Sequence, residues 1–235
     1  MPTSASSRDK KGRSFKMKKA IVMQKLQEIG VVAVVRGADM EDGVKTAEAC
    51  IAGGVKAIEL TFTTPDAPAA IKTLTEKYSN DPDVVIGAGT VLDAATARMA
   101  ILSGARFIVS PVFDREVVEL CNLYRVVSCP GVMTCGEVVN ALKAGADIIK
   151  LFPGDILGQK MVKDIHGPLP QATLMPSGGV SVENAGAWLE AGCVAVSAGG
   201  SLTAAAKKGD YAGVTSMAQK FVSAVKEARQ KMQEG

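Results

Sequence analysis

At 235 residues with 47% apolar side chains, the chain suits one large α/β domain or two small ones and can bury a sizeable core. Aromatics reach only 4% while glycines number 24, which argues against a sandwich resting on large rings and for tightly packed βα units. The net charge of +3 comes from the first residues, where Arg8, Lys10, Lys11, Arg13, Lys16, Lys18 and Lys19 face one acid, Asp9; the rest is slightly acidic, so no nucleic-acid partner is expected.

In chain order, residues 1–17 read as a disordered basic leader. Met1-Pro2-Thr3-Ser4-Ala5-Ser6-Ser7 is small and polar, lacks the apolar core of a secretory signal, and leaves Met17 as a candidate native start. A helix is expected near Lys19–Ile29. After it, short β-branched runs alternate with amphipathic stretches, about two dozen residues per cycle. The runs are Val31–Val35, Ala57–Thr61, Val84–Gly87, Phe107–Val109, Val126–Cys129, Ile148–Leu151, Thr173–Pro176 and Val194–Ala198. Helices are expected near Met40–Ala52, Ala67–Tyr78, Ala94–Ser103, Arg115–Leu123, Gly136–Ala144, Gln159–Ile165, Val182–Ala191 and Tyr211–Met232. Glycines at Gly53-Gly54, Gly104, Gly145 and Gly192 stop four of them, each just before a strand.

Strand then helix, repeated through eight cycles, means a parallel sheet covered by helices, and eight units close a (β/α)8 TIM barrel. A doubly wound open sheet is the alternative, but no GxGxxG follows the first strand. No linker divides the body, so residues 18–235 read as a single α/β domain with an extra N-terminal helix. No run is apolar and long enough to span a membrane. Cys50, Cys121, Cys129, Cys135 and Cys193 form no CxxC pair and mostly sit in apolar or helical stretches; buried reduced thiols in a cytoplasmic protein are expected. One histidine, His166, and scattered thiols do not build a His-rich zinc site.

Three charged residues fall at or near the C-terminal ends of different strands. Lys150 interrupts the apolar run Ile148-Ile149-Lys150-Leu151-Phe152. Burial would lower its pKa and make the amine a nucleophile toward carbonyl carbon; a lysine snorkelling to solvent is equally open on this segment alone. In Ala57-Ile58-Glu59-Leu60-Thr61-Phe62 the large apolar residues share one face, so Glu59 should point inward with Ala57 and Thr61. Arg36 shares parity with Val32 and Val34. That end of a barrel is where catalytic residues collect, and a structural ion-pair network is the alternative.

Glycine-rich turns follow the seventh and eighth strands, Pro176-Ser177-Gly178-Gly179-Val180 and Ser197-Ala198-Gly199-Gly200-Ser201. Loops at those positions frequently make the phosphate site of this fold. Gly87-Ala88-Gly89-Thr90 ends the third strand and Ser110-Pro111 the fourth; either pair lines the mouth or only forms turns.

These segments, with Pro130-Gly131-Val132-Met133-Thr134 and Ile149-Lys150-Leu151-Phe152-Pro153-Gly154, resemble the 2-keto-3-deoxy-6-phosphogluconate (KDPG) and 4-hydroxy-2-oxoglutarate (KHG) aldolases from about Lys18 to the last helix. The resemblance implies a class I aldolase that cleaves a 2-keto-acid to pyruvate and an aldehyde, usually as a homotrimer and without metal or cofactor. It makes Lys150 the Schiff-base lysine and Glu59 the general acid/base. It places Arg36, Thr90, Pro111 and Phe152 around the keto-acid end. Ser177, Gly178, Gly179, Gly199, Gly200 and Ser201 fall at the phosphate end. Thr63 stands where some members carry arginine, and Ser177 where threonine is common, so the choice among KDPG, its galactonate epimer and KHG stays open. A phosphate-binding isomerase or transferase, or a non-catalytic trimeric scaffold, fits the same barrel.

Overall fold

The computed structural model describes residues 18–234; the leader assigned to residues 1–17 lies outside them. Nine short strands alternate with helices: β1 Val31–Val35, β2 Ala57–Thr61, β3 Val85–Gly89, β4 Phe107–Val109, β5 Val127–Cys129, β6 Gly131–Val132, β7 Ile149–Leu151, β8 Leu174–Pro176 and β9 Val196–Ala198. The helices that matter below are α1 Lys19–Ile29, α2 Met40–Ala52, α3 Ala67–Lys77, α4 Ala94–Leu102, α5 Arg115–Tyr124, α6 Cys135–Ala144, α7 Gly154–Leu157, α8 Lys160–His166, α9 Val182–Glu190, α10 Gly200–Thr203 and α11 Tyr211–Glu234. Local chemistry sets their starts. Asp39, Asp93 and Asp114 each accept a hydrogen bond from a first-turn amide, and Thr134 with Glu137 forms a capping box on α6. Each such cap contributes about 1 kcal/mol. At the helix ends Gly54, Gly104, Gly145 and Gly192 take positive φ; in the Gly53-Gly54 pair it is the second glycine that does so.

All strand pairs are parallel, in a sheet of order β5-β4-β3-β2-β1-β9 and another of order β6-β7-β8. Hydrogen bonds span both gaps. Pro130 separates β5 from β6 because it has no N–H to give, yet its carbonyl still accepts from Lys150 N at 2.9 Å. On the other side Val194 N donates to Leu174 O at 3.0 Å, and Ser177 bridges Ser197 in parallel. The outcome is a curled parallel α/β sheet with distinct inner and outer faces.

Period-two alternation sorts the core. Val31, Ala33, Val35, Ile58, Leu60, Ile149 and Leu151 pack outward among the helices, while Val32, Ala57, Val85, Phe107, Val127, Ile148 and Met175 form a separate inner cluster. The extra helix α1 belongs to the inner layer: its Val22 and Leu26 are buried there, and Lys19 pairs with Asp147 at 2.8 Å just before β7. It therefore plugs the N-terminal end of the strands and leaves the opposite end for chemistry. The last helix, α11, packs against α2 and α9.

The departures from the sequence-based expectation have local causes. β3 runs on through Gly89, because Gly87 and Gly89 are strand residues that make room rather than turn residues. A methyl group at Gly87 would overlap the Phe107 ring, and one at Gly89 would overlap Glu59 Oε1. The single helix expected over Gln159–Ile165 is preceded by α7, and α10 follows β9; both are four-residue turns too short to show a periodic pattern. Cys50, Cys121, Cys129 and Cys193 are buried and free, whereas Cys135 is exposed. Burial pushes the Cys50, Cys121 and Cys193 thiols up to about 12.

Candidate active site

Glu59 sits mid-strand on β2, in register with Val34 of β1 and Gly87 of β3. Its outward neighbours Ile58 and Leu60 are in the helix-facing core, so its carboxyl points inward, as the parity of the strand requires. It is 1% exposed, and among the described residues Oε2 has no hydrogen-bond partner. Burial raises its pKa above the ordinary carboxyl range, with the charges of Lys150 and Arg36 opposing the shift. Such a carboxyl can hold and release a proton closer to neutrality than a surface glutamate does.

Its position depends on an absent side chain. Glu59 fills the space above Gly89, where a Cβ would coincide with its carboxylate oxygen. Gly89→Ala is therefore expected to lower kcat/KM by about a hundredfold through displacement of the carboxyl. Overpacking should also cost about 1–3 kcal/mol of stability. Steady-state kinetics and thermal melts read both effects.

Lys150 occupies the middle of β7, between outward-facing Ile149 and Leu151. It is 6% exposed, and Nζ lies 4.9 Å from the centroid of the Phe152 ring. The snorkelling alternative fails on that burial. Glu59 and Lys150 thus come from separate strands to the same inner face, with Arg36 near enough to act on the Glu59 charge.

Beside them lies a cavity of about 220 Å³ that collects Arg36, Phe152, Ser177, Gly178, Gly179, Gly199, Gly200 and Ser201. The Ser177–Ser197 bridge holds the two glycine turns side by side, and Ser201 Oγ donates to Val180 O at 2.6 Å across them. Gly178 and Gly179 both have positive φ, and a side chain at Gly179 would collide with Asp155. Among the described residues the N–H groups of Gly178, Gly179 and Gly199 make no backbone hydrogen bond. Such unspent amides are the usual furniture of an anion site.

Arg36 reaches the second turn: its Nη1 is 3.2 Å from where a Cβ on Gly199 would stand. It shares this cavity with the glycine turns, whereas Thr90 and Pro111, grouped with it by resemblance, are not among the lining residues. Thr90 follows β3 and Pro111 follows β4. The carbonyl of Pro111 is packed so closely against Gly131 that no side chain would fit there. Val34, Val180 and Ser197 also line the cavity, beyond the residues that the resemblance implies. Inward parity with Arg36 was the available signal for Val34; for Ser197 it was two-residue spacing from Gly199.

A model of the family described as KDPG and KHG aldolase matches residues 22–217. The chain belongs to the KDPG and KHG aldolase family. The 2-dehydro-3-deoxy-phosphogluconate aldolase of Treponema pallidum is 33% identical over 87% of this chain and 97% of its own length. The 2-dehydro-3-deoxy-6-phosphogalactonate aldolase of Escherichia coli strain K12 is 30% identical, covering 88% of this chain and 100% of that one. The solved KDPG aldolase of Legionella pneumophila, with pyruvate captured at low pH as a covalent carbinolamine intermediate, matches with a TM-score of 0.75 at 29% identity, over 87% of this chain and 98% of that one. Within a KDPG and KHG aldolase, the lysine and the carboxyl on the inner face and the glycine-lined cavity beside them form a coherent set.

Proposed function

We propose that this chain is a class I aldolase that cleaves a 2-keto-3-deoxy sugar acid phosphate, or 4-hydroxy-2-oxoglutarate, to pyruvate and an aldehyde. The observation that carries the reading is the burial of Lys150 and Glu59 on one inner face beside the Arg36 and glycine-turn cavity. Two bridging sets of hydrogen bonds support a fully closed (β/α)8 barrel, in which β5 and β6 count as one strand broken at Pro130.

The Lys150 amine attacks the C2 ketone, and loss of water from the carbinolamine leaves an iminium. Glu59, as carboxylate, accepts the C4 hydroxyl proton. The C3–C4 electron pair flows into the iminium, the aldehyde departs, and an enamine remains. Glu59 returns its proton to C3, and water hydrolyses the iminium to free pyruvate and the amine. One carboxyl acts in both directions, which its raised pKa suits. Thr90, Pro111 and Phe152 flank the keto-acid end, while Ser177, Gly178, Gly179, Gly199, Gly200 and Ser201 receive the phosphate end. Neither metal nor cofactor enters this scheme.

Borohydride added with pyruvate is expected to place one covalent adduct on Lys150, mapped by peptide mass. Coupling pyruvate release to lactate dehydrogenase should show turnover of KDPG, its galactonate epimer or KHG. No adduct together with no turnover of any of the three would remove the reading.

A homotrimer is supported by exposed apolar side chains on and around two neighbouring helices: Leu92, Met99 and Leu102 on and before α4, and Val112 and Leu123 around α5. Sedimentation at the mass of three chains is the expected result, and a monomer would contradict it. Four buried free thiols suit the reducing cytoplasm, which cell fractionation tests.

A further inference from the structure

We infer that three threonines at the end of β2 and in the turn after it, Thr61, Thr63 and Thr64, hold Arg36 in position for the phosphate end of the substrate. The inference rests on the aldolase reading for its substrate but not for its geometry. The parallel ladder between β1 and β2 ends at the Val35–Leu60 pair, one residue short of Arg36. From there side chains take over. Thr61 Oγ1 donates to Val35 O at 3.0 Å, and Thr64 Oγ1 accepts from Gly37 N at 2.9 Å. The backbone is thereby tied immediately before and immediately after Arg36.

The direction of the third bond follows from counting hydrogens. Thr61 and Thr63 Oγ1 atoms lie 2.7 Å apart, and the one hydroxyl hydrogen of Thr61 is committed to Val35. Thr63 must therefore be the donor. Thr61 is 0% exposed and Thr64 is 2% exposed, so water does not compete for these bonds, while Thr63 sits at the surface. The Thr63 hydroxyl thereby braces Thr61 and strengthens the seat of Arg36. Among the described residues no carboxylate lies within ion-pair distance of the Arg36 guanidinium, which projects over the Gly199 turn. A long side chain rooted in a fixed backbone loses less freedom when an anion binds.

Thr64→Val keeps the shape and deletes the hydroxyl. Its KM for KDPG and its Kd for inorganic phosphate, followed by phosphorus NMR titration, are expected to rise roughly tenfold. Borohydride trapping of pyruvate on Lys150 should stay at the wild-type rate, and Thr64→Ser should restore both constants. In an Arg36→Ala background Thr64→Val should cause no further loss, because the residue acts through the arginine. Additive losses, or wild-type KM and Kd in Thr64→Val, would overturn the inference. If Thr64→Val fails to fold, surface Thr63→Ala replaces it, with an expected rise of about threefold that likewise disappears without Arg36. Phosphate titration needs no turnover, so failure of the aldolase reading and failure of the threonine clamp give different results.

Discussion

Lys150→Met loses aldolase turnover by roughly four orders of magnitude or more, because a methionine of similar length has no amine with which to form the imine, and covalent catalysis collapses with its nucleophile. The borohydride adduct with pyruvate disappears at the same time. The fold is expected to survive. Lys150 is buried beside Phe152 and between apolar neighbours, and methionine occupies that space without an amine to be desolvated. Circular dichroism and a melting temperature at or above wild type check this. Residual turnover near wild type, or a full adduct on another lysine, would reassign the chemistry.

Glu59→Gln is expected to lower kcat by about 10²–10⁴, the usual weight of a positioned general acid/base. Slow adduct formation with pyruvate should persist, since the amine and the cavity are untouched. The same variant should be more stable than wild type near neutral pH. Burial raises the Glu59 pKa in the folded protein. Below the ordinary carboxyl value of about 4.3 the group is protonated in both states and costs little. As pH rises from there through the raised folded value, the unfolded chain releases its proton first, and stability falls. Glutamine has no such titration, so the stability gap between variant and wild type should open across that window and then level off. Urea unfolding at a series of pH values measures it. A gap independent of pH would mean that Glu59 does not resist ionisation as its burial requires.

Both outcomes would describe a site that sacrifices stability for the proposed function: among the described residues one Glu59 oxygen is kept inside without a partner, where the proposed mechanism moves a proton. The neighbouring cavity follows the same logic, with glycines that leave amides open instead of side chains that would close the space.

Much of this was legible in the sequence. Alternating parity assigned Glu59 to the inner face, the β-branched runs located most strands, and glycine after each of four helices marked where the next strand begins. Paired glycine turns pointed to the cavity, because their position in the strand order is itself readable. Less was legible wherever a residue's role depends on what lies across from it. The expected third strand stopped at Gly87, and Gly89 was left open between the mouth and a turn, yet both glycines are strand positions kept bare for Phe107 and Glu59, which lie on other strands. Pro130 split a strand without ending its course, since only the facing Lys150 amide shows that the carbonyl is still in use. Thr61 shares the parity of Glu59, but Thr63 and Thr64 carried no periodic signal, and the bonds of Thr61 to Val35 and of Thr64 to Gly37 join segments more than two dozen residues apart.

The order of residues by itself determined most element types, the parallel arrangement and the inward face of Glu59, because those depend on local period and near-neighbour chemistry. Only the tertiary structure decided that Arg36 sits over the Gly199 turn, that α1 plugs the floor and that Lys150 lies against Phe152 beneath the mouth. The first two are meetings of segments distant in sequence, and all three are settled by which side chains leave room for one another once the sheet has curled.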